Sequence, residues 1–176
     1  MLNIAARRYI KTSDYESVRK MAYIDSLCNI NNRNAFILEQ EASFDCDELC
    51  YIVFDLNNLK RINDKYGHAE GDKIIKKAAE IISLSFEDFE KCFRIGGDEF
   101  AVILSGEDYY LREKLMEQVN AVPRDLSRIR IGETISAGMA EYDRDRHTSL
   151  SGVFEEADKA MYERKQRLKE NMPTEE

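Results

Sequence analysis

The chain has 176 residues, a length that suits one domain with its own hydrophobic core. Its formal net charge of −8 argues against a groove for a nucleic-acid backbone, and its first residues are too polar for a signal peptide. Because no apolar run reaches roughly 18 residues, the sequence predicts no membrane span.

The cysteines do not form the pattern of a zinc site. Cys46 and Cys50 are four residues apart, but no histidine or second close pair completes a set of ligands, and Cys28 and Cys92 lie far away in sequence. We therefore predict reduced thiols in a cytoplasmic protein, with a structural metal as the alternative.

The first 24 residues predict a helix with only a weak apolar stripe, at Ile4, Tyr9, Val18 and Met21. Two interpretations remain open. The helix either packs on the domain that follows, or it is the end of a signalling stalk or a dimer-forming helix of a larger protein.

The rest of the chain alternates between helical and strand patterns. Helices are predicted at 33–44, 70–86, 108–121 and 151–170, a buried strand at 49–56, a hairpin at 91–104, and a strand or strand pair at 128–140. Without repeats or low-complexity segments, this order predicts a single mixed α/β domain.

Three carboxylates stand at the ends of predicted strands. Asp55 lies at the end of the buried run, while Asp98 and Glu99 follow two glycines in the bend of the hairpin. If the hairpin joins the same sheet, these groups converge, and Mg²⁺ is the usual cation that compensates such charge. Two such ions would suit phosphoryl or nucleotidyl transfer. The alternative is that Asp55 caps a turn and the other two acids keep the bend soluble.

Residues 57–72 combine features that suit a nucleotide. The Asn57-Asn58 turn can present backbone N–H groups to phosphate, and Lys60 is a candidate phosphate partner. Asn63 and Asp72 together can bind a purine, because a carboxylate accepts two hydrogen bonds from guanine that adenine does not supply. Taken singly, each of these residues is more commonly a helix cap or a solvated surface residue.

Five segments in order resemble the GGDEF family of diguanylate cyclases over roughly residues 20–170. They are Asp25-x-Leu27 with Asn32-Arg33, DLNNLKRINDKYGHAEGD over 55–72, RIGGDEF over 94–100, Thr134-Ile135-Ser136-x-Gly138, and ADKAMYERK over 157–165. The resemblance implies a GGDEF domain at 23–170, preceded by a helix or stalk remnant at 1–22 and followed by a tail at 171–176. It also implies an α+β fold, with a central, mostly antiparallel five-stranded sheet surrounded by helices, as in nucleotidyl cyclases and polymerase palms.

The resemblance also implies a role for each matching residue. Asp98, Glu99 and Lys60 would be catalytic, and Asp98 would help to deprotonate the attacking 3′-OH. The metal would be held by Asp55, Asp98, Glu99 and the carbonyl group of Leu56. The substrate would be bound by Asn58, Leu59, Asn63, His68, Asp72, Lys165 and Lys169, although Lys169 replaces an arginine of the family.

The implied activity is the condensation of two GTP molecules into cyclic di-GMP and two pyrophosphates, with Mg²⁺ or Mn²⁺. Each monomer would bring one GTP, so catalysis would need a homodimer. The domain would be cytoplasmic, alone or as part of a larger or membrane-anchored protein with an upstream sensor. The alternative is a catalytically silent module for GTP binding or dimerisation.

The sequence departs from the family in a few places. Many members carry an inhibitory RxxD motif where this chain has Glu87-Asp88-Phe89-Glu90, so we predict no product inhibition through that site. Asn57 and Leu59 replace the more usual Asp and Phe, and Cys28-Asn29 replaces Thr-Gly. Asp72, the predicted guanine-binding carboxylate, is retained, which favours GTP.

Overall fold

The computed structural model describes residues 14–43, 46–86, 91–121 and 135–170. Its helices are α1 (14–23), α2 (Arg33–Ala42), α3 (Leu59–Tyr66), α4 (His68–Ser85), α5 (Arg112–Ala121) and α6 (Leu150–Glu170). Its strands are β1 (Asn31–Asn32), β2 (Leu49–Leu56), β3 (Cys92–Arg94), β4 (Glu99–Ser105) and β5 (Ile135–Glu141), and a 3-10 helix (Gly106–Leu111) precedes α5.

The five strands form one sheet in the order β1-β3-β4-β2-β5. The short β1 pairs with β3 in parallel, whereas every other neighbouring pair is antiparallel. All eight residues of β2 are buried, as its continuous apolar sequence predicted. The predicted fold class, a mostly antiparallel five-stranded sheet among helices, is therefore confirmed.

Hydrophobic cores lie on both faces of the sheet, because successive side chains of a strand point to opposite faces. On one face, Ile52 and Phe54 of β2 pack with Ile74, Ala78 and Ile82 of α4. The other face carries α2 and α6, whose buried residues Phe36, Val153, Ala157 and Met161 pack with Tyr51, Val53 and Phe93. Both faces of β2 are thus covered, which fixes its ends in position.

Helix α6 approaches β5 so closely that only glycine fits at position 138. A Cβ atom on Gly138 would lie 2.7 Å from the carbonyl carbon of Ala160 and would also clash with backbone atoms of Ala157 and Met161. This contact sets the distance between α6 and the edge of the sheet.

Most predicted elements are found within a few residues of their expected bounds. The predicted helix at 108–121 begins as a 3-10 helix, and α6 and α4 each begin slightly earlier than predicted. Helix α3 was not predicted, since the sequence pattern assigned no element to residues 59–66. Predicted structure at 1–13 and 128–134 lies outside the described residues, and the domain bounds remain predictions.

The structure also bears on the predicted state of the cysteines and on the predicted absence of a membrane span. All four cysteines lie in the described part of the chain, and none of them forms a disulfide there. None of the described helices combines the length and apolar character that crossing a membrane requires.

Candidate active site

The structure brings the three predicted carboxylates together at one end of the central strands. Asp55 of β2 is directly opposite Glu99 of β4 in the antiparallel register. The backbone N–H of Leu56 donates a hydrogen bond to the carbonyl oxygen of Asp98 at 2.9 Å, which ties the bend of the hairpin to the end of β2. Residues far apart in sequence therefore share one corner of the sheet.

The electrostatic environment of Glu99 reflects this crowding. Its pKa is raised above the usual range, first by burial and then by the charges of Asp98, Asp55 and Asp158. Arg33 of α2 is near enough to oppose this shift, and its guanidinium lies 3.4 Å from the carbonyl oxygen of Ile95. The corner thus holds more negative charge than the nearby arginine offsets.

Asp55 is compensated by a lysine from the last helix. The ammonium group of Lys165 donates to Asp55 Oδ1 at 2.5 Å, and only 21% of the lysine side chain and 12% of the aspartate side chain are exposed. Within the described residues, no group of three His, Cys, Asp or Glu side chains has the arrangement of a metal site. In the part of the chain that the structure describes, Lys165 is a cation in direct contact with Asp55.

The two glycines of the hairpin bend differ in the space around them. A Cβ atom on Gly96 would clash with the carboxylate of Glu99, whereas a Cβ atom on Gly97 would meet nothing within 4 Å. Gly96 therefore lets the Glu99 side chain fold across the bend, and Gly97 leaves the surface of the bend open.

A groove of about 630 Å³ lies between the start of α3, the hairpin bend and α6. Asn58 adopts a left-handed conformation (φ 62°) just before α3, and the first helical bond runs from the N–H of Ile62 to the carbonyl of Asn58. The N–H groups of the first turn, starting at Leu59, thus have no partner within the helix. Lys60 and Lys165 also line this groove, so its wall combines the start of a helix with basic side chains.

Three predicted substrate residues lie farther along α3 and α4. Asn63 is half-buried, and its carboxamide oxygen is buried without a hydrogen-bond partner. A Cβ atom on Gly71 would clash with that oxygen, so this glycine provides the space for Asn63. His68 and Asp72 are exposed at the start of α4.

A clamp that the sequence interpretation missed joins the first loop to the hairpin. Arg94 donates to both carboxylate oxygens of Asp25, at 3.2 and 3.1 Å, and to the carbonyl of Gly97 at 2.7 Å. Asp25 also accepts the N–H groups of Leu27 and Cys28. Burial raises the pKa of Asp25, but the Cys28 N–H and Arg94 outweigh it and lower the pKa overall.

A second unpredicted contact lies beneath the groove. The buried side chains of Asn57 and Ser136 bond reciprocally: Asn57 Nδ2 donates to Ser136 Oγ at 2.9 Å, and the hydroxyl donates back to Asn57 Oδ1 at 3.1 Å. This pair links the end of β2 to β5. The sequence gives no sign that Asn57 and Ser136 are in contact, because 79 positions separate the two residues.

Two predictions fall where side chains are not described. The side chain of Lys169 lies outside the described part of α6, and residues 87–90, which replace the RxxD motif, lie outside the described residues.

Known proteins resemble this chain over most of its length. The family described as "Diguanylate cyclase, GGDEF domain" matches residues 22–171. Diguanylate cyclase DgcS of Shewanella oneidensis is 32% identical over 161 residues, which cover 89% of this chain and 54% of the relative. Probable diguanylate cyclase DgcT of Escherichia coli is 33% identical over 157 residues, covering 84% of this chain and 34% of DgcT. The chain thus spans about half of the first relative and a third of the second.

Solved structures show the same similarity. The coiled coil and GGDEF domain of DgcB from Caulobacter crescentus, in complex with c-di-GMP, superposes with a TM-score of 0.70 and 26% identity, covering 94% of this chain and 92% of that one. The GGDEF domain of DgcB alone, also with c-di-GMP, gives a TM-score of 0.65 at 30% identity, covering 83% of this chain and 91% of that one.

Proposed function

This chain belongs to the GGDEF domain family of diguanylate cyclases, and on that premise we propose that it condenses two GTP molecules into cyclic di-GMP and two pyrophosphates. The observation that carries the proposal is the corner where Asp55, Asp98 and Glu99 meet beside a basic groove. Acidic and basic groups so close together suit a bound metal–triphosphate complex better than either a bare cation or a bare anion.

The donor chemistry of the carboxylate corner suits a divalent metal, although the described side chains are not arranged as a metal site in this structure. Its chemistry is that of hard oxygen donors: the carboxylates of Asp55, Asp98 and Glu99 and the carbonyl group of Leu56 would hold Mg²⁺, or Mn²⁺ in its place. The pKa of Glu99 is raised first by burial and then by the charges of Asp98, Asp55 and Asp158, and a divalent ion would relieve the second of these causes. When bound, the metal would supply Lewis-acid stabilisation of the phosphate charge.

The groove would hold the triphosphate. The N–H groups at the start of α3, together with the positive end of the helix dipole, favour an anion there. Lys60 and Lys165 would add charge-assisted hydrogen bonds to phosphate oxygens, and Asn58 and Leu59 would contribute backbone donors. Lys169 is proposed as a further phosphate partner from its position in α6.

Guanine would be bound beside α3 and α4. Asn63 would hydrogen-bond the base through its carboxamide, which would have to turn outward because its oxygen is buried against Gly71 in this structure. Asp72 would accept the N1–H and N2–H₂ pair of guanine, and His68 would contact the same nucleotide. The exposed positions of His68 and Asp72 suit a base that stacks against the outside of the domain.

The reaction would require two copies of the chain. Each GTP 3′-OH attacks the α-phosphate of the other GTP, a new P–O bond forms, and the bond to pyrophosphate breaks. Asp98 would accept or direct the proton of the attacking hydroxyl, while Glu99 supports the metal. Because each chain supplies one nucleotide site, a two-fold homodimer would align the pair, and alignment would contribute much of the rate acceleration.

Regulation and cellular setting follow from the same premise. With acids at positions 87 and 90, the chain would lack product inhibition through an RxxD site. We propose that an upstream sensor controls activity and that the domain acts in the cytoplasm, where its four cysteine thiols would stay reduced.

The test is GTP turnover with Mg²⁺ at several protein concentrations, with nucleotides separated by chromatography. We expect cyclic di-GMP to form at a rate that rises faster than linearly with protein, because the active species is a dimer. GTP binding without product, even in a forced dimer, would instead indicate a silent binding module.

A matched pair of variants tests the acidic corner. Asp98→Asn should abolish turnover while the far-UV circular dichroism spectrum stays unchanged. Asp145→Asn makes the same charge change at an exposed loop beyond the other end of β5 and should retain activity. Full activity in Asp98→Asn would overturn the assignment of Asp98.

A further inference from the structure

The side chain of Lys165 lies between the carboxylate of Asp55 and the groove. The lysine ammonium contacts the carboxylate of Asp55, and Lys165 also lines the groove together with Asn58, Lys60 and Asp98. The same ammonium group can therefore neutralise the carboxylate or bind an anion in the groove.

The backbone under Lys165 has little freedom to move. Val153, Ala157 and Met161 are buried against the sheet, and Lys165 follows Met161 by four residues on the same face of α6. The clash that a Cβ atom on Gly138 would cause shows that β5 and α6 are already in direct backbone contact. Any change of partner must therefore come from rotation of the lysine side chain.

The charges favour such a change of partner. Asp55, Asp98 and Glu99 bring three negative charges, and Lys165 cancels one of them while it contacts Asp55. A divalent ion would have to displace the ammonium group of Lys165 before it could bind Asp55. Because the two charged groups are in contact and little exposed, this displacement lowers the affinity of the corner for the ion. A triphosphate in the groove offers the displaced ammonium group a new set of oxygens.

We propose that Lys165 acts as an internal counter-cation that withholds Asp55 from a divalent metal until a triphosphate enters the groove and takes over its ammonium group. The proposal rests on the proposed function, because it concerns the order in which metal and nucleotide occupy that site. Metal alone would bind weakly, and metal and nucleotide would strengthen each other's binding.

The test measures Mn²⁺ binding by the loss of its free electron paramagnetic resonance signal, first without nucleotide. Lys165→Met should bind Mn²⁺ roughly tenfold more tightly than the unmodified protein, because an opposing charge in contact with a ligand has been removed. Lys159→Met is the matched control: Lys159 is exposed on another face of the same helix, and its loss should leave Mn²⁺ affinity unchanged. Lys165→Gln keeps a hydrogen-bond donor and serves if the Met variant does not fold.

The measurement is then repeated with a GTP analogue whose α–β bridge cannot be cleaved, and the signal lost in a protein-free sample of the same analogue, which itself binds Mn²⁺, is subtracted. The analogue should raise Mn²⁺ affinity in the unmodified protein more than in Lys165→Met, and it should itself bind more weakly to that variant. If folded Lys165 variants bind Mn²⁺ without nucleotide no more tightly than the unmodified protein, the counter-cation role is overturned while the proposed function stands. If the unmodified protein does not bind Mn²⁺ even with the analogue, the proposed function and this inference fail together.

Discussion

Replacing Gly138 with alanine tests whether the packing of α6 on β5 sets the geometry of the candidate site. The new Cβ atom would lie 2.7 Å from the carbonyl carbon of Ala160, whereas carbon atoms normally pack about 3.5–4 Å apart. Backbone atoms of Met161 and Ala157 lie closer still, so the helix must retreat by more than roughly 1 Å, and these backbone atoms cannot rotate away.

We expect this overpacking to cost about 1–3 kcal/mol, even though removing a strand glycine by itself stabilises a protein by roughly 0.5–1 kcal/mol. For a chain of this length, the loss corresponds to a fall in Tm of about 2–12 °C. If the chain is a cyclase, the displacement of Lys165 should also lower GTP turnover by up to about a hundredfold. Thermal denaturation followed by circular dichroism and the GTP assay measure the two effects.

Gly152→Ala is the control on the same helix. Its Cβ atom would meet His147 Cδ2 at 3.5 Å, an ordinary contact, and alanine favours the helix by roughly 0.5–1 kcal/mol, so Tm should stay level or rise. If Gly138→Ala melts at or above the temperature of the unmodified protein, the reasoning about this contact is wrong.

Three further predictions concern the site and its supports. In the absence of metal, Glu99→Gln should raise Tm at a pH above the raised pKa of Glu99, because the substitution removes a buried negative charge. This increase in Tm should vanish below the ordinary pKa range of glutamate, where both side chains are neutral. An equal increase in Tm at both pH values would show that the charge of Glu99 is not its cause. Asp25→Ala should lower the free energy of unfolding in urea by about 2 kcal/mol, because Arg94 and two backbone N–H groups lose their acceptor; an unchanged urea midpoint would show that the clamp does not stabilise the fold. Asp72→Ser should reduce the ratio of kcat/KM for GTP over ATP by roughly tenfold or more; a constant ratio would remove Asp72 from guanine recognition.

The amino-acid sequence determined the elements whose signal is local. The apolar run over 49–56 could only be a buried strand, and the repeated isoleucines of α4 required an amphipathic helix. The glycine pair and the acids after it predicted the hairpin bend. Helix α3 was missed because only Leu59 and Ile62 mark its buried side, too few to distinguish a short helix from a polar loop.

The tertiary structure decided which of these residues meet. Lys165 contacts Asp55, which is 110 positions away in the sequence, and Arg94 contacts Asp25, which is 69 positions away. No local sequence pattern predicts either contact. Such pairs depend on strand order, register and the close approach of α6 that Gly138 permits. Local patterns reflect interactions between near neighbours in the chain, whereas these contacts exist only after the helices have packed onto the sheet.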